Sequence, residues 1–199
     1  MDVQGKPVYF EQELLELVSF ALTVLGGREE TRPAVMTILK RLERLSLELA
    51  ETQALSAQNV RQRICEHRAN LALEAEEYDE AVKFAELGRS LARRDTAAYY
   101  NLTIELSKSF FGLGESEKAY SVLAEAIREV ISNRLHREEA PALLRVAKRA
   151  EICGLDESSE FACAMAALAK YSGRISTRQF KKLWIEDPRK ALDAIGEAL

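Results

Sequence analysis

Two histidines, three cysteines and four prolines are all that 199 residues supply of these types, and no apolar run approaches membrane-spanning length. Each scarcity excludes something. His67 and His136 are the only imidazoles, and no set of His, Cys, Asp or Glu has metal-ligand spacing; Cys65 and His67, two apart, diverge around a helix, so no metal is expected. Cys65, Cys153 and Cys163 show no repeated spacing, which reads as three reduced, buried thiols and not a disulfide framework. The run from Leu17 to Leu25 falls well short of the roughly 18 residues a bilayer-crossing helix takes. The N-terminus lacks the charged start, apolar stretch and small-residue cleavage site of a signal peptide, so a cytoplasmic protein without a membrane span is expected. No G-x-S-x-G elbow, dinucleotide fingerprint or His-Glu-x-x-His occurs, and no catalytic residue, cofactor or enzymatic activity is expected. A formal net charge of -4 argues against a dedicated nucleic-acid binder.

What is abundant is helix-forming sequence. Hydrophobic residues make up 47% and charged residues 30%, a globular composition too apolar for disorder. Ala, Leu, Glu, Lys, Arg and Gln dominate, and runs of alternating β-branched residues are missing. Pro33, Pro141 and Pro188 sit where helices can start, the one place where a missing donor and a fixed φ do no harm. The chain is therefore expected to be all-α. Leu14, Leu17, Val18, Ala21, Leu22 and Leu25 predict a first helix over about 9–25, ended by Gly26-Gly27. Val35, Ile38, Leu39, Leu42, Leu45 and Leu49 predict a second over about 32–52. Together they form an N-terminal helical hairpin, residues 1–56. Its heptads are too few to demand a dimer seam, so packing within the chain is expected, with a homodimer through this hairpin as the alternative.

Residues 57–172 repeat. When the segments beginning at Arg63, Leu102 and Leu143 are aligned on their central turns, small side chains coincide at Ala69, Ser107 and Ala147, at Ala81, Ala119 and Ser159, and at Gly88, Ala126 and Ala166. The first step is 38 residues (107 − 69 = 38) and the second is 40 (147 − 107 = 40) in every set. Small residues at fixed places in both helices are what a tight antiparallel pair needs. The pattern resembles the tetratricopeptide (TPR) repeat, most closely in "EEYDEAVKFAELG" from Glu76 to Gly88 and then in "GLGESEKAYSVLAEA", with periods longer than the family's usual 34 and a degenerate third unit at Ser159 and Cys163. The resemblance implies three helix pairs stacked as an α-solenoid within one domain. Other helical repeats with a period near 40 are the runner-up.

"GLGESEKAY" from Gly112 to Tyr120 is then a turn between helices, with Gly112 and Gly114 supplying the reversal and Ser116 capping the next helix; a phosphate loop would need a preceding strand and a Gly-Lys-Ser/Thr ending. Residues 173–199 predict two short capping helices: Ser176 and Gln179 make a capping box, and Asp187-Pro188 starts the last helix. Phe180, Leu183 and Trp184 share a face that would cover the end of the stack. The stretch from Lys170 to Lys190 carries seven cations against Glu186 and Asp187, a solvated face or a docking surface for an anionic partner.

The resemblance further implies that the first helices of successive pairs line a concave groove holding a peptide or helix of another protein. The family's groove positions fall here on Arg63, Glu66, His67 and Asn70, on Asn101, Glu105 and Lys108, and on Arg145 and Lys148. Glu66 and Glu105 stand where a clamp for acidic chaperone tails wants a neutral or basic group. The expected function is thus a non-enzymatic interaction module or scaffold. The alternatives are a secretion chaperone or immunity-type protein with one cognate client, or the sensor part of a transcription regulator.

Overall fold

Every regular element is a helix, and no strand occurs, among the residues that the computed structural model describes: 8–20, 29–50, 54–94, 96–133, 164–167, 169 and 175–196. The helices are α1 (Val8–Phe20), α2 (Arg32–Ala50, entered through a 3-10 turn at Glu29–Thr31), α3 (Ala54–Glu74), α4 (Tyr78–Leu91), α5 (Ala97–Gly112), α6 (Ser116–Asn133), α7 (Thr177–Glu186) and α8 (Pro188–Gly196). The chain divides into two compact units, Met1–Arg94 and Asp95–Leu199.

In the first unit the apolar stripe of α2 does what its spacing predicts. Val35, Leu39 and Leu42 are buried with Val18 of α1 and with Ala57, Val60, Ile64 and Leu71 of α3, and Leu15, Met36, Ile38 and Leu45 pack around them. α1 turns differently from the expected register: Leu15 and Val18 enter the core, whereas Leu17 and Phe20 are 52% and 59% exposed. Apolar residues surround this helix, so spacing alone left more than one stripe available. α3 carries a second buried line, Cys65, Ala69 and Ala72, against which α4 packs Ala81, Phe84, Ala85 and Gly88.

The second unit repeats that pairing. Ser107 of α5 and Ala119 of α6 are fully buried, and the Ser107 hydroxyl donates to the Ala119 carbonyl at 3.3 Å, so a side chain of one helix rests directly on the backbone of the other. Only small residues permit that approach. Tyr120, Leu123, Ala124, Ala126 and Ile127 continue the buried face of α6. α7 begins with the full capping box of Ser176 and Gln179 and buries Phe180 and Trp184, their rings 5.5 Å apart. Asp187 Oδ1 accepts from Lys190 N at 3.3 Å at the start of α8.

The two hairpin turns are built alike. Gly114 (φ 76) follows α5, with Gly114 N donating to Phe111 O at 3.0 Å and Glu115 N to Phe110 O at 2.9 Å. Glu76 (φ 59) follows α3, with Glu76 N donating to Leu73 O at 3.1 Å and Glu77 N to Ala72 O at 2.8 Å. Both are Schellman reversals through one left-handed residue, and they stand at the same 38-residue offset as the small residues (114 − 76 = 38). Gly112 ends α5 and Ser116 is the first residue of α6, so the reversal needs Gly114 alone. The third expected pair, including its small residues Ala147 and Ser159, lies outside the described residues apart from 164–167 and 169, which are helical and bury Ala164, Met165, Ala166 and Ala169.

Candidate partner-binding stripes

α3 is packed on two sides, and its exposed polar residues fall on one face, with Arg61 and Gln62 half-buried off it. Asn59, Arg63, Asn70 and Glu74 are exposed along it, and Glu66 and His67 are half-buried. This follows from the helix repeat: positions four and seven apart share a face, while the intervening residues go to the buried sides. Arg63 Nη1 donates to Glu66 Oε2 at 2.6 Å, and the Glu66 side chain keeps only 13% of its surface. Burial pulls the His67 imidazole down to about 4, with Arg63 pushing the same way and Glu66 opposing. His67 is therefore neutral at neutral pH.

On α5 the corresponding strip is narrower. Tyr99, Tyr100, Leu102, Thr103, Ile104, Leu106, Ser107, Ser109 and Phe110 are all buried, and Asn101, Glu105 and Lys108 keep partial exposure at spacings of four and three. Lys108 Nζ donates to Glu105 Oε1 at 3.0 Å, with Glu105 again 13% exposed. Its other oxygen, Oε2, is buried and has no hydrogen-bond partner among the described residues. Thr96, which sequence reading passed over, caps this helix by accepting from Tyr99 N.

The strips share an electrostatic design. Each contains one carboxylate held by a cation three residues away, plus neutral polar groups; the α5 strip is close to charge-neutral, and the α3 strip, with Glu74 at its end, carries one net negative charge. Such a surface offers hydrogen bonds and little net attraction for a charged tail. Arg63, Glu66, His67 and Asn70 lie together on α3, and Asn101, Glu105 and Lys108 together on α5; the two groups belong to different units, and Arg145 and Lys148 lie outside the described residues.

A cleft absent from the sequence reading adjoins the other side of α3. Arg32, Pro33, Met36, Arg68, Leu71, Ala72, Glu77, Glu80 and Phe84 enclose about 230 Å³ between the starts of α2 and α4 and the end of α3. Arg68 ties this corner together: its Nη1 donates to Glu43 of α2 at 2.9 Å, and its guanidinium lies 3.6 Å from the Phe84 ring centroid of α4. Nothing in the spacing of Glu43, Arg68 and Phe84 announces this contact, since three separate helices supply it.

Among the described residues no cluster of three or more His, Cys, Asp or Glu could hold a metal ion, and no helix is long and apolar enough to cross a membrane. Cys65 is buried between α3 and α4, and burial, reinforced by Glu43, pushes its thiol up to about 11, the reverse of a reactive cysteine. Compared with protein-family models, with curated proteins and with solved structures, the chain gives no match.

Proposed function

We propose that the protein is a non-enzymatic interaction module of TPR-like design, in which the polar strip of α3 in the first unit and that of α5 in the second each offer a surface to a peptide or helix of a partner protein. The observation that carries this reading is the pair of strips itself. In each hairpin the first helix is buried on both flanks yet keeps one line of hydrogen-bonding side chains accessible, at positions offset by 38 residues: Arg63 and Asn101, His67 and Glu105, Asn70 and Lys108. A residue line kept polar on helices otherwise given to packing supports a recognition surface. Internal ion pairing favours a partner read through its backbone and neutral polar groups over an acidic tail.

The test compares wild type with the double variant Asn70→Ala/Lys108→Ala as baits in native lysate, with quantitative mass spectrometry of what is retained. Loss of the stoichiometric partners by the variant, with unchanged far-UV circular dichroism, is expected. A variant that retains every partner at wild-type yield refutes the assignment.

A further inference from the structure

The start of α7 contradicts the rule that governs helix ends. The N-terminal end of a helix carries positive potential and favours acidic residues, yet the first turn of α7 holds no acid and carries Arg178, with Lys181 and Lys182 in the turn after it. Their spacing of three and four residues also sets like charges against each other. Arg178, Lys181 and Lys182 are exposed, and Ile185, seven residues after Arg178, continues the same face at 68% exposure. Among the described residues neither Arg178 nor Lys181 has an ion-pair partner, and Lys182 reaches Glu186 only at 3.8 Å in the open. The opposite face is committed to the interior through Phe180 and Trp184. A local arrangement that opposes the helix's own stability, in a chain whose net charge is -4, marks a surface selected for something other than folding.

We propose that this face of α7 is a docking surface, separate from the strips of α3 and α5, for a short acidic segment of a partner protein that sets carboxylates against Arg178, Lys181 and Lys182 and one apolar side chain against Ile185. The footprint decides between anions. From residue 178 to 185 the helix rises about 10 Å, room for two turns of a peptide. A duplex of that length presents about six charges and extends beyond the patch into the field of a net-negative protein. A membrane surface would need an apolar helix face to enter the headgroups, and here that face is buried, leaving Ile185 alone.

Fluorescence anisotropy of the full chain tests this with a fluorescein-labelled twelve-residue peptide bearing glutamates at three- and four-residue spacing and one leucine beyond them. A single-stranded twelve-nucleotide DNA and phosphatidylserine vesicles serve as competing probes at the same salt. Saturable peptide binding at 50 mM salt is expected, weakened at least tenfold by Arg178→Glu/Lys181→Glu, several-fold by Ile185→Ser, and strongly by 200 mM salt. The charge reversals place acids where the helix favours them, so the double variant should melt no lower than wild type, which separates lost docking from lost folding. Asn70→Ala/Lys108→Ala should leave this binding unchanged. No saturable peptide binding, equal binding by the charge-reversed variant, or tighter binding of the DNA or vesicles would overturn the proposal.

Discussion

Replacing Ala119 with leucine should open the α5–α6 hairpin by a calculable amount. Ala119 is fully buried, and its carbonyl already touches the Ser107 hydroxyl at 3.3 Å, so the gap is filled by the existing atoms. Three added carbons would gain about 2.4 kcal/mol if a cavity received them. None does, and forcing the helices apart costs about 1–3 kcal/mol net. Ser107→Leu fills the same gap and should cost a similar amount. The two together should cost less than the sum, by about 0.5 kcal/mol or more, because the first leucine has already moved the helices. Ser121→Leu, on the exposed side of α6, should stay within about 0.5 kcal/mol of wild type. Urea titration followed by circular dichroism reads these differences, and thermal melts should fall by about 2–12 °C for each inward substitution. Strict additivity, or a stabilised Ala119→Leu protein, would mean that the helices do not meet at these small residues.

Three further outcomes follow from single residues. Glu76 sits at φ 59 where its counterpart is Gly114, so Glu76→Gly should stabilise by about 0.5–1 kcal/mol and Gly114→Ala, with open space for its Cβ but a φ of +76, should destabilise by about 1 kcal/mol in urea titrations. His67 binds its proton more weakly folded than unfolded, because burial lowers it from 6.5 to about 4; stability is full above pH 6.5 and falls as pH drops toward 4, by up to roughly 3 kcal/mol, and His67→Gln should flatten that slope in melts across this window. The Cys65 thiol, raised by burial from 9.0 to about 11, carries about a hundredfold less thiolate below pH 9 than an ordinary thiol. In a Cys153→Ser/Cys163→Ser background it should react with a disulfide reagent only as fast as the protein opens, and rapid native-state labelling would contradict the burial.

The parts legible in the sequence are those where local chemistry and packing agree. The α2 stripe, the Ser176–Gln179 capping box and the Pro188 start were each readable because periodicity, cap and breaker pointed the same way. The equivalence of the two turns was hidden, since a glycine announces the left-handed residue at 114 and a glutamate occupies the same conformation at 76. In α1, apolar residues on more than one face left the register open, and the buried line runs through Leu15 and Val18 in place of Leu17. The polar strips were reached through repeat register. Their ion pairs, Arg63 with Glu66 and Glu105 with Lys108, were not read from the sequence, although three-residue spacing on a helix permits them. Arg68 was invisible because its partners, Glu43 and Phe84, meet it only after three helices have packed.

Photo-crosslinking addresses the recognition surface directly. A benzophenone side chain is placed at Asn70 or Asn101 on the strips, and at Glu86 or Ser121 on the exposed sides of the second helices, α4 and α6. The design of the hairpins predicts covalent capture of a partner from position 70 and from position 101, each strip taken by itself, and none from 86 and 121. Capture from 86 and 121 with silence at 70 and 101 would contradict it.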